Sequence, residues 1–382
     1  MIDKNLIKFI KKIYRDERVI PLHVPYFNEK ENEYVSDTIK STFVSSVGQY
    51  VNDFEDKIAE CLNVPSGRVI CTVNGTSALT AVLTSFGVGY GDIVITQSLS
   101  FVATSNAIAS VGATPAFVDV NAGDMGLSLD SLIGFLHKYC VMKDGRTFLK
   151  ESNKPVKALV PMHTFGLVTN IDEIKNLCTE WGIFLIEDAA ESLGSTLNGQ
   201  HAGTFGDAAI ISFNGNKIIT TGGGGAIVCG TDELARKVRH ITTTGKRPHK
   251  WEYYHDEFAY NFRLPNLNAA LGCAQIEKLE ELILMKRNLA KGYQQFFANT
   301  ELVFKSESDT CVSNYWLNTV ECQSFEQRES LLIALNDAGI LARPVWQPLH
   351  TLPMYKHCIS AELPNTEHLG MVLLNLPSSV SL

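Results

Sequence analysis

Seven short apolar runs rich in β-branched residues recur at Arg68–Val73, Ile93–Gln97, Thr114–Val118, Ala158–Pro161, Phe184–Glu187, Ala208–Phe213 and Gly225–Cys229. Segments with helical spacing, such as Ile171–Trp181, fall between most of them. A strand that is apolar on both faces has no side to give to water, so it belongs in a sheet covered above and below. Strands alternating with helices build such a sheet through parallel crossovers. The expected fold class is α/β, with one large, seven-stranded, mostly parallel sheet. Ligands of such sheets gather at the carboxyl ends of the strands.

The 382 residues are enough for two domains. The pattern divides into an N-terminal helical extension (1–20), a large domain (21–275) and a smaller C-terminal α/β domain (276–382). The segment Met1–Tyr14 alternates apolar and basic residues at helical spacing. It lacks a continuous apolar stretch of secretory type and a small-residue cleavage site, so a helix packed on the body is expected, in a cytoplasmic protein. Glu29–Lys40 reads as a short helix, and one long helical pattern runs from Leu264 through Ala269, Gln275 and Leu279 towards Phe297. With 33 basic against 41 acidic residues the net charge is −8, which disfavours nucleic acid as a partner. Nine cysteines without a Cys-x-x-Cys pair or a metal-type spacing with histidine read as reduced thiols, with no metal site. No segment is long enough to span a membrane.

The chemistry concentrates at strand ends. Lys217 lies just beyond the run Asp207–Phe213 and is followed by Gly222-Gly-Gly-Gly225. Asp188 ends the run Phe184-Leu-Ile-Glu-Asp188, three residues before a second acid, Glu191. Read singly, a lysine behind a strand is a solvated cation, and an acidic pair there is a helix N-cap. The four glycines change the balance, because such a run forfeits backbone entropy unless a close approach or a positive φ requires it. A third strand end, Thr72-Val-Asn-Gly75-Thr76-Ser77, opens a helical pattern. Its free amides, helix dipole and hydroxyls suit a phosphate, with Gly75 and Thr76 as the contacts. It is neither a dinucleotide fingerprint nor a Walker loop. An amine that bonds an aldehyde, an anion that keeps a ring nitrogen protonated and a phosphate turn are together the requirements of pyridoxal 5′-phosphate (PLP). Lys217 is assigned the first role and Asp188 the second, with the carboxylate held ionised and its pKa lowered by about one to three units through the ion pair.

At this point the chain resembles the nucleotide-sugar aminotransferases of the aspartate-aminotransferase-like PLP fold. The resemblance runs from about Pro21 onward through Asn74-Gly-Thr-Ser, Ser100-Phe-Val-Ala-Thr104, Glu187-Asp-Ala-Ala190, Ser212-Phe-Asn-Gly-Asn-Lys217, Tyr260–Gly272 and Arg343-Pro-Val-Trp-Gln-Pro-Leu-His350. It implies that Lys217 bonds the cofactor and later carries the proton between substrate and cofactor carbons. It also implies that Asp188 pairs with the pyridine nitrogen, that Ser212, Gly75 and Thr76 hold the phosphate, and that Phe101 stacks on the ring. Asn261 matches a residue that reaches the phosphate from a neighbouring subunit, implying a homodimer with shared active sites. Many relatives carry Gln where this chain has Glu191, a position beside the cofactor's phenolic oxygen. An acid there must be protonated, turned away or compensated by a donor. A related dehydratase branch has histidine in place of the lysine, and Lys217 argues against it.

Ser45–Glu55, the Asn-Gly-Asn before Lys217 and Arg343–His350 look most like transaminases of UDP-4-keto-6-deoxy-N-acetylhexosamines, with L-glutamate as donor and UDP-4-amino-4,6-dideoxy-N-acetylglucosamine as product. Arg343 would pair with a diphosphate or a donor carboxylate, and Trp346 and His350 would line the sugar pocket. Read singly, these three are a surface cation, a core aromatic and a loop histidine. A GDP-perosamine-type synthase is the alternative, sharing all but the nucleotide and sugar contacts. A ligand sensor built on the same fold would need a DNA-binding appendage, for which the first twenty residues are too short.

Overall fold

The computed structural model describes residues 2–15, 17–168 and 170–380. All seven apolar runs form strands of one sheet, in the spatial order Val69–Thr72, Gly225–Cys229, Ala208–Ser212, Phe184–Asp188, Pro155–Val160, Ile93–Gln97 and Thr114–Val118. The pairings from Ala208–Ser212 to Thr114–Val118 are parallel. Gly225–Cys229 runs antiparallel to both of its neighbours. Alternate side chains of each strand feed separate cores. Val94 packs with Ile70, Ile186 and Ile227, whereas Ile95 packs with Ala116, Leu159 and Leu185. This two-sided burial is what the unbroken apolar runs require.

The sheet has nine strands, because an antiparallel hairpin, Cys140–Lys143 with Arg146–Leu149, adds to Pro155–Val160. Its turn is Asp144-Gly145 with φ of 50° and 71°, the left-handed pair that suits a tight hairpin. The flanking residues mix charge with apolar character, and they carry no continuous run that would mark them as strands.

A second sheet of four short strands, Val303–Phe304, Asn318–Glu321, Leu373–Leu376 and Arg343–Pro344, is antiparallel throughout. The helix Ile2–Ile13 buries Leu6 and Ile10 in the cluster that holds Tyr293, Phe297, Val320, Leu335 and Leu374. The basic face of that helix is left to solvent, as its periodicity requires. The helical pattern from Leu264 to Phe297 is two helices, Asn266–Ile276 and Leu279–Phe297, not one. At the break, Lys278 (φ −115°, ψ 12°) turns inward to pair with Glu31, while Glu277 receives Lys30 and Lys57 at 2.9 and 3.2 Å. Glu277 keeps helical angles (φ −62°, ψ −18°), and the departure is at Lys278 alone. Among the described residues no helix is long and apolar enough to cross a membrane. The nine cysteines are free thiols, and all but Cys61 and Cys358 are buried.

Candidate active site

Where the carboxyl ends of Phe184–Asp188 and Ala208–Ser212 meet the first turn of the helix Gly75–Ser85, a cleft of about 340 Å³ opens. Gly75, Thr76, Phe101, Asp188, Glu191, Ser212, Lys217 and Trp346 all line it.

The helix start is built for an anion. Asn74 is extended (φ −170°) and caps the helix, its Oδ1 accepting the Ser77 amide at 2.7 Å. Such a cap stabilises a helix by about 1 kcal/mol. It engages the Ser77 amide and leaves those of Gly75 and Thr76 without an intrahelical acceptor, at the positive end of the dipole. The glycine run explains how the turn is supported. A Cβ on Gly225 would lie 2.6 Å from the Asn74 carbonyl carbon and 2.7 Å from the Gly75 nitrogen, and Gly222 has φ +80°. One glycine thus permits close approach and another a left-handed turn. Ser212 stands beside Gly75, its hydroxyl accepting the Asn214 amide at 3.3 Å.

Asp188 is 5 % exposed. Its Oδ2 accepts the Thr104 hydroxyl at 2.7 Å and its Oδ1 the Ala190 amide at 3.2 Å. Burial pushes its carboxyl above the ordinary value, against the opposing pull of Thr104, Ala190, Lys217 and His163. The lowered pKa expected beside a bound ring belongs to the ion pair with that ring, and burial acts in the opposite direction. The adjacent Glu187 is fully buried and saturated, accepting amides of Gly203, Phe205 and Gly206 at 2.7–2.8 Å and facing His163 Nε2 at 2.9 Å. Hydrogen bonds to a charged group contribute about 1.5–3 kcal/mol each, so this set fixes the end of the strand that aims Asp188.

The Lys217 ammonium is held between an acid and a ring. Nζ lies 3.1 Å from Glu191 Oε1 and 3.9 Å from the centroid of Trp316, whose indole donates to the Asn216 carbonyl at 2.7 Å. The second Glu191 oxygen accepts the Phe165 amide at 3.0 Å, and Phe165 is itself left-handed at φ 56°. In the protein alone, donors meet both Glu191 oxygens. Burial raises its carboxyl, with the Lys217 charge acting in the opposite sense. Phe165, Trp316, Trp346 and Phe101 continue as an aromatic wall with ring centroids 5.1–6.2 Å apart.

Three expected residues stand outside this lining. Asn261 is exposed, on a backbone bridge to Thr243. Arg343 is exposed at the edge of the second sheet, donating to Asn336 Oδ1 at 3.0 Å and the Ala342 carbonyl at 2.8 Å. These acceptors engage one nitrogen of its guanidinium, and Arg343 is not among the residues lining the cleft. His350 Nδ1 faces Ser98 Oγ at 2.8 Å, and burial lowers its pKa. Conversely, no role had been assigned to Thr104 or Trp316. Thr104 was within reach of sequence reasoning, three residues after Phe101 in the same motif. Trp316 lies about a hundred residues from the lysine and carried no local signal.

The donor set fits PLP. Lys217 offers an amine, Asp188 a buried anion lacking a cation, and Gly75, Thr76 and Ser212 uncommitted donors for a phosphate. Comparison with known proteins agrees. Residues 25–382 match the model of the DegT/DnrJ/EryC1/StrS aminotransferase family. The chain is 35% identical over 363 residues to a GDP-perosamine synthase of Vibrio cholerae, covering 94% of each. It is 36% identical over 365 residues to the GDP-perosamine synthase of Escherichia coli O157:H7, covering 96% of this chain and 94% of that one. The crystal structure of the aminotransferase TlmJ from Streptoalloteichus hindustanus superposes with a TM-score of 0.85 at 28% identity, over 94% of this chain and 93% of that one. Fold, site chemistry and these likenesses converge: the chain belongs to the DegT/DnrJ/EryC1/StrS family of PLP-dependent sugar aminotransferases.

Proposed function

We propose that the protein transfers an amino group from L-glutamate to C4 of a 4-keto-6-deoxyhexose carried on a nucleoside diphosphate. The observation that carries this reading is the single cleft joining Lys217, Asp188 and the Gly75–Thr76 turn. When bound, PLP supplies an electron sink for the charge left on a deprotonated substrate carbon. The Gly75 and Thr76 amides and the Ser212 hydroxyl hold its phosphate. Asp188, oriented by Thr104, pairs with the ring nitrogen and regains the ionised state that burial alone opposes. Phe101 covers one ring face. Lys217 would hold the cofactor through its amine and would serve as the base that carries a proton between the two carbons. The aromatic wall from Phe165 to Trp346 excludes water, which strengthens each of these electrostatic contacts.

Two sugar nucleotides fit this reading. Likeness of Ser45–Glu55 and Arg343–His350 to transaminases of UDP-4-keto-6-deoxy-N-acetylhexosamines favours a UDP substrate, yielding UDP-4-amino-4,6-dideoxy-N-acetylglucosamine. The 35–36% identity to GDP-perosamine synthases supports a GDP-linked keto sugar equally well. A homodimer completes the proposal. Asn261 is not among the residues lining the Lys217 cleft of its own chain, and the neighbouring Trp251, Tyr253 and Phe258 are 74–79% exposed, a cluster of aromatics that a second copy would cover.

Purified protein incubated with glutamate and a panel of UDP- and GDP-linked 4-keto sugars, with products identified by mass and NMR, separates the two substrates. Failure to aminate any keto sugar, with PLP bound and glutamate converted to 2-oxoglutarate, would overturn the sugar assignment while leaving the transaminase intact.

A further inference from the structure

We propose that Glu191 is a proton-holding residue: a carboxylate while Lys217 is a free ammonium, and a carboxylic acid with its proton on Oε1 once the Lys217 nitrogen is bonded to the cofactor's aldehyde carbon. The proposal rests on the PLP reading of the cleft.

The geometry distinguishes the two oxygens. Oε2 accepts the Phe165 amide at 3.0 Å, and a backbone N–H can only donate, so Oε2 stays an acceptor in either state. Oε1 faces Lys217 Nζ at 3.1 Å and is the oxygen left to carry a proton. The side chain of Glu191 is 2 % exposed and that of Lys217 12 %, so the carboxylate depends on this cation and not on water. The other charged group near it is Asp188, whose negative charge disfavours ionisation of Glu191. Around the remainder of the residue are the Phe165 turn and Asn314, whose side chain donates to the Glu191 carbonyl at 3.0 Å and carries no charge.

Bonding withdraws the ammonium hydrogens that face Oε1. The ammonium's three protons divide between the departing water, which takes two, and the new carbon–nitrogen double bond, whose nitrogen keeps one. That nitrogen's charge is then shared with the cofactor's own phenolic oxygen. A buried carboxylate that has lost those donors and lies near Asp188 would take one proton from solvent, on Oε1. Burial already biases Glu191 in this direction.

Proton uptake on cofactor binding is the test. PLP is titrated calorimetrically into cofactor-free protein and into its Glu191→Gln variant, in buffers of different ionisation enthalpy that contain no primary amine. Wild type should take up about one proton more than the variant near neutral pH. Equal uptake overturns the proposal. In parallel, infrared difference spectra of wild-type protein with and without PLP, recorded with and without ¹³C-labelled glutamate residues, should show a label-sensitive protonated-carboxyl band appearing on binding. Its absence overturns the proposal even if the variant does not fold. Absence of PLP binding in wild type is a separate result, and it would refute the cofactor reading itself.

Discussion

Asp188 shows how a single side chain can oppose folding and favour function. Its raised pKa means that ionisation penalises the cofactor-free fold. The penalty is absent below the unfolded-state carboxylate pKa and develops as pH rises through the raised native value. Asp188→Asn should therefore raise the thermal midpoint of cofactor-free protein near pH 8 and leave it almost unchanged near pH 4, as followed by circular dichroism. The same variant should lower kcat by about 10²–10³-fold, the scale of losing one preorganised electrostatic contact. A midpoint unaffected at both pH values would show that the carboxylate is not desolvated. Lys217→Ala should abolish the borohydride-trappable bond to PLP while non-covalent retention persists, and persistent trapping would identify another lysine as the carrier. The shared place of Asp188 and Lys217 in the cleft was legible in the sequence only jointly, because singly they read as a helix cap and a solvated cation, and it was the glycine run and the Gly75 turn that tipped the balance. Their tuning was not, since the sign of a pKa shift depends on burial and on partners such as Thr104 that only the fold brings together.

Among elements, the strands were the most legible and the joins between helices the least. Unbroken apolar runs specify strands buried on both faces, whereas the break at Lys278 coincides with long-range pairing to Glu31 that no local pattern marks. The glycine run was recognisable as a close approach, but its target, the Asn74–Gly75 peptide, required the antiparallel placement of Gly225–Cys229. Gly225→Ala tests that contact. Its Cβ would meet backbone atoms at 2.6–2.7 Å, and overpacking of this kind costs about 1–3 kcal/mol. Displacing the phosphate turn should weaken PLP binding by about tenfold or more, measurable by fluorescence titration, with the secondary structure retained. Unchanged affinity would detach the glycine from the phosphate site.

At the scale of the whole molecule, residues far apart in sequence close around the most deeply buried lysine of the described residues. Lys286 is 1% exposed, donates to the Ser378 carbonyl at 2.6 Å, and is drawn down to a pKa of about 7 by burial. His23, whose own pKa its charge helps to lower, is near it. Tyr293 and Tyr14 hold the flanking Pro377 and Ser379 carbonyls at 3.0 and 2.9 Å. The native pKa lies below the unfolded one, so this lysine's contribution to stability is lost as pH falls towards 7 and recovered as pH rises towards 10.5. Lys286→Met should therefore raise the thermal midpoint more at pH 6 than at pH 10. An equal shift at both values would mean that the amine is hydrated in the folded protein. Subunit exchange tests the assembly at the same scale: mixing inactive Lys217→Ala and Asn261→Ala proteins should restore activity if each cleft draws Asn261 from the other chain. No recovery, with mixed dimers verified by mass spectrometry, would assign each cleft to one chain.

The reversed direction of Gly225–Cys229 has a further consequence. Because that strand returns alongside Ala208–Ser212, residues 213–224 link two neighbours directly and need no crossover helix. Lys217 thus rides on a short lateral bridge whose two feet are fixed by neighbouring strands, so its backbone is tied to the sheet on both sides while its side chain alone spans the cleft.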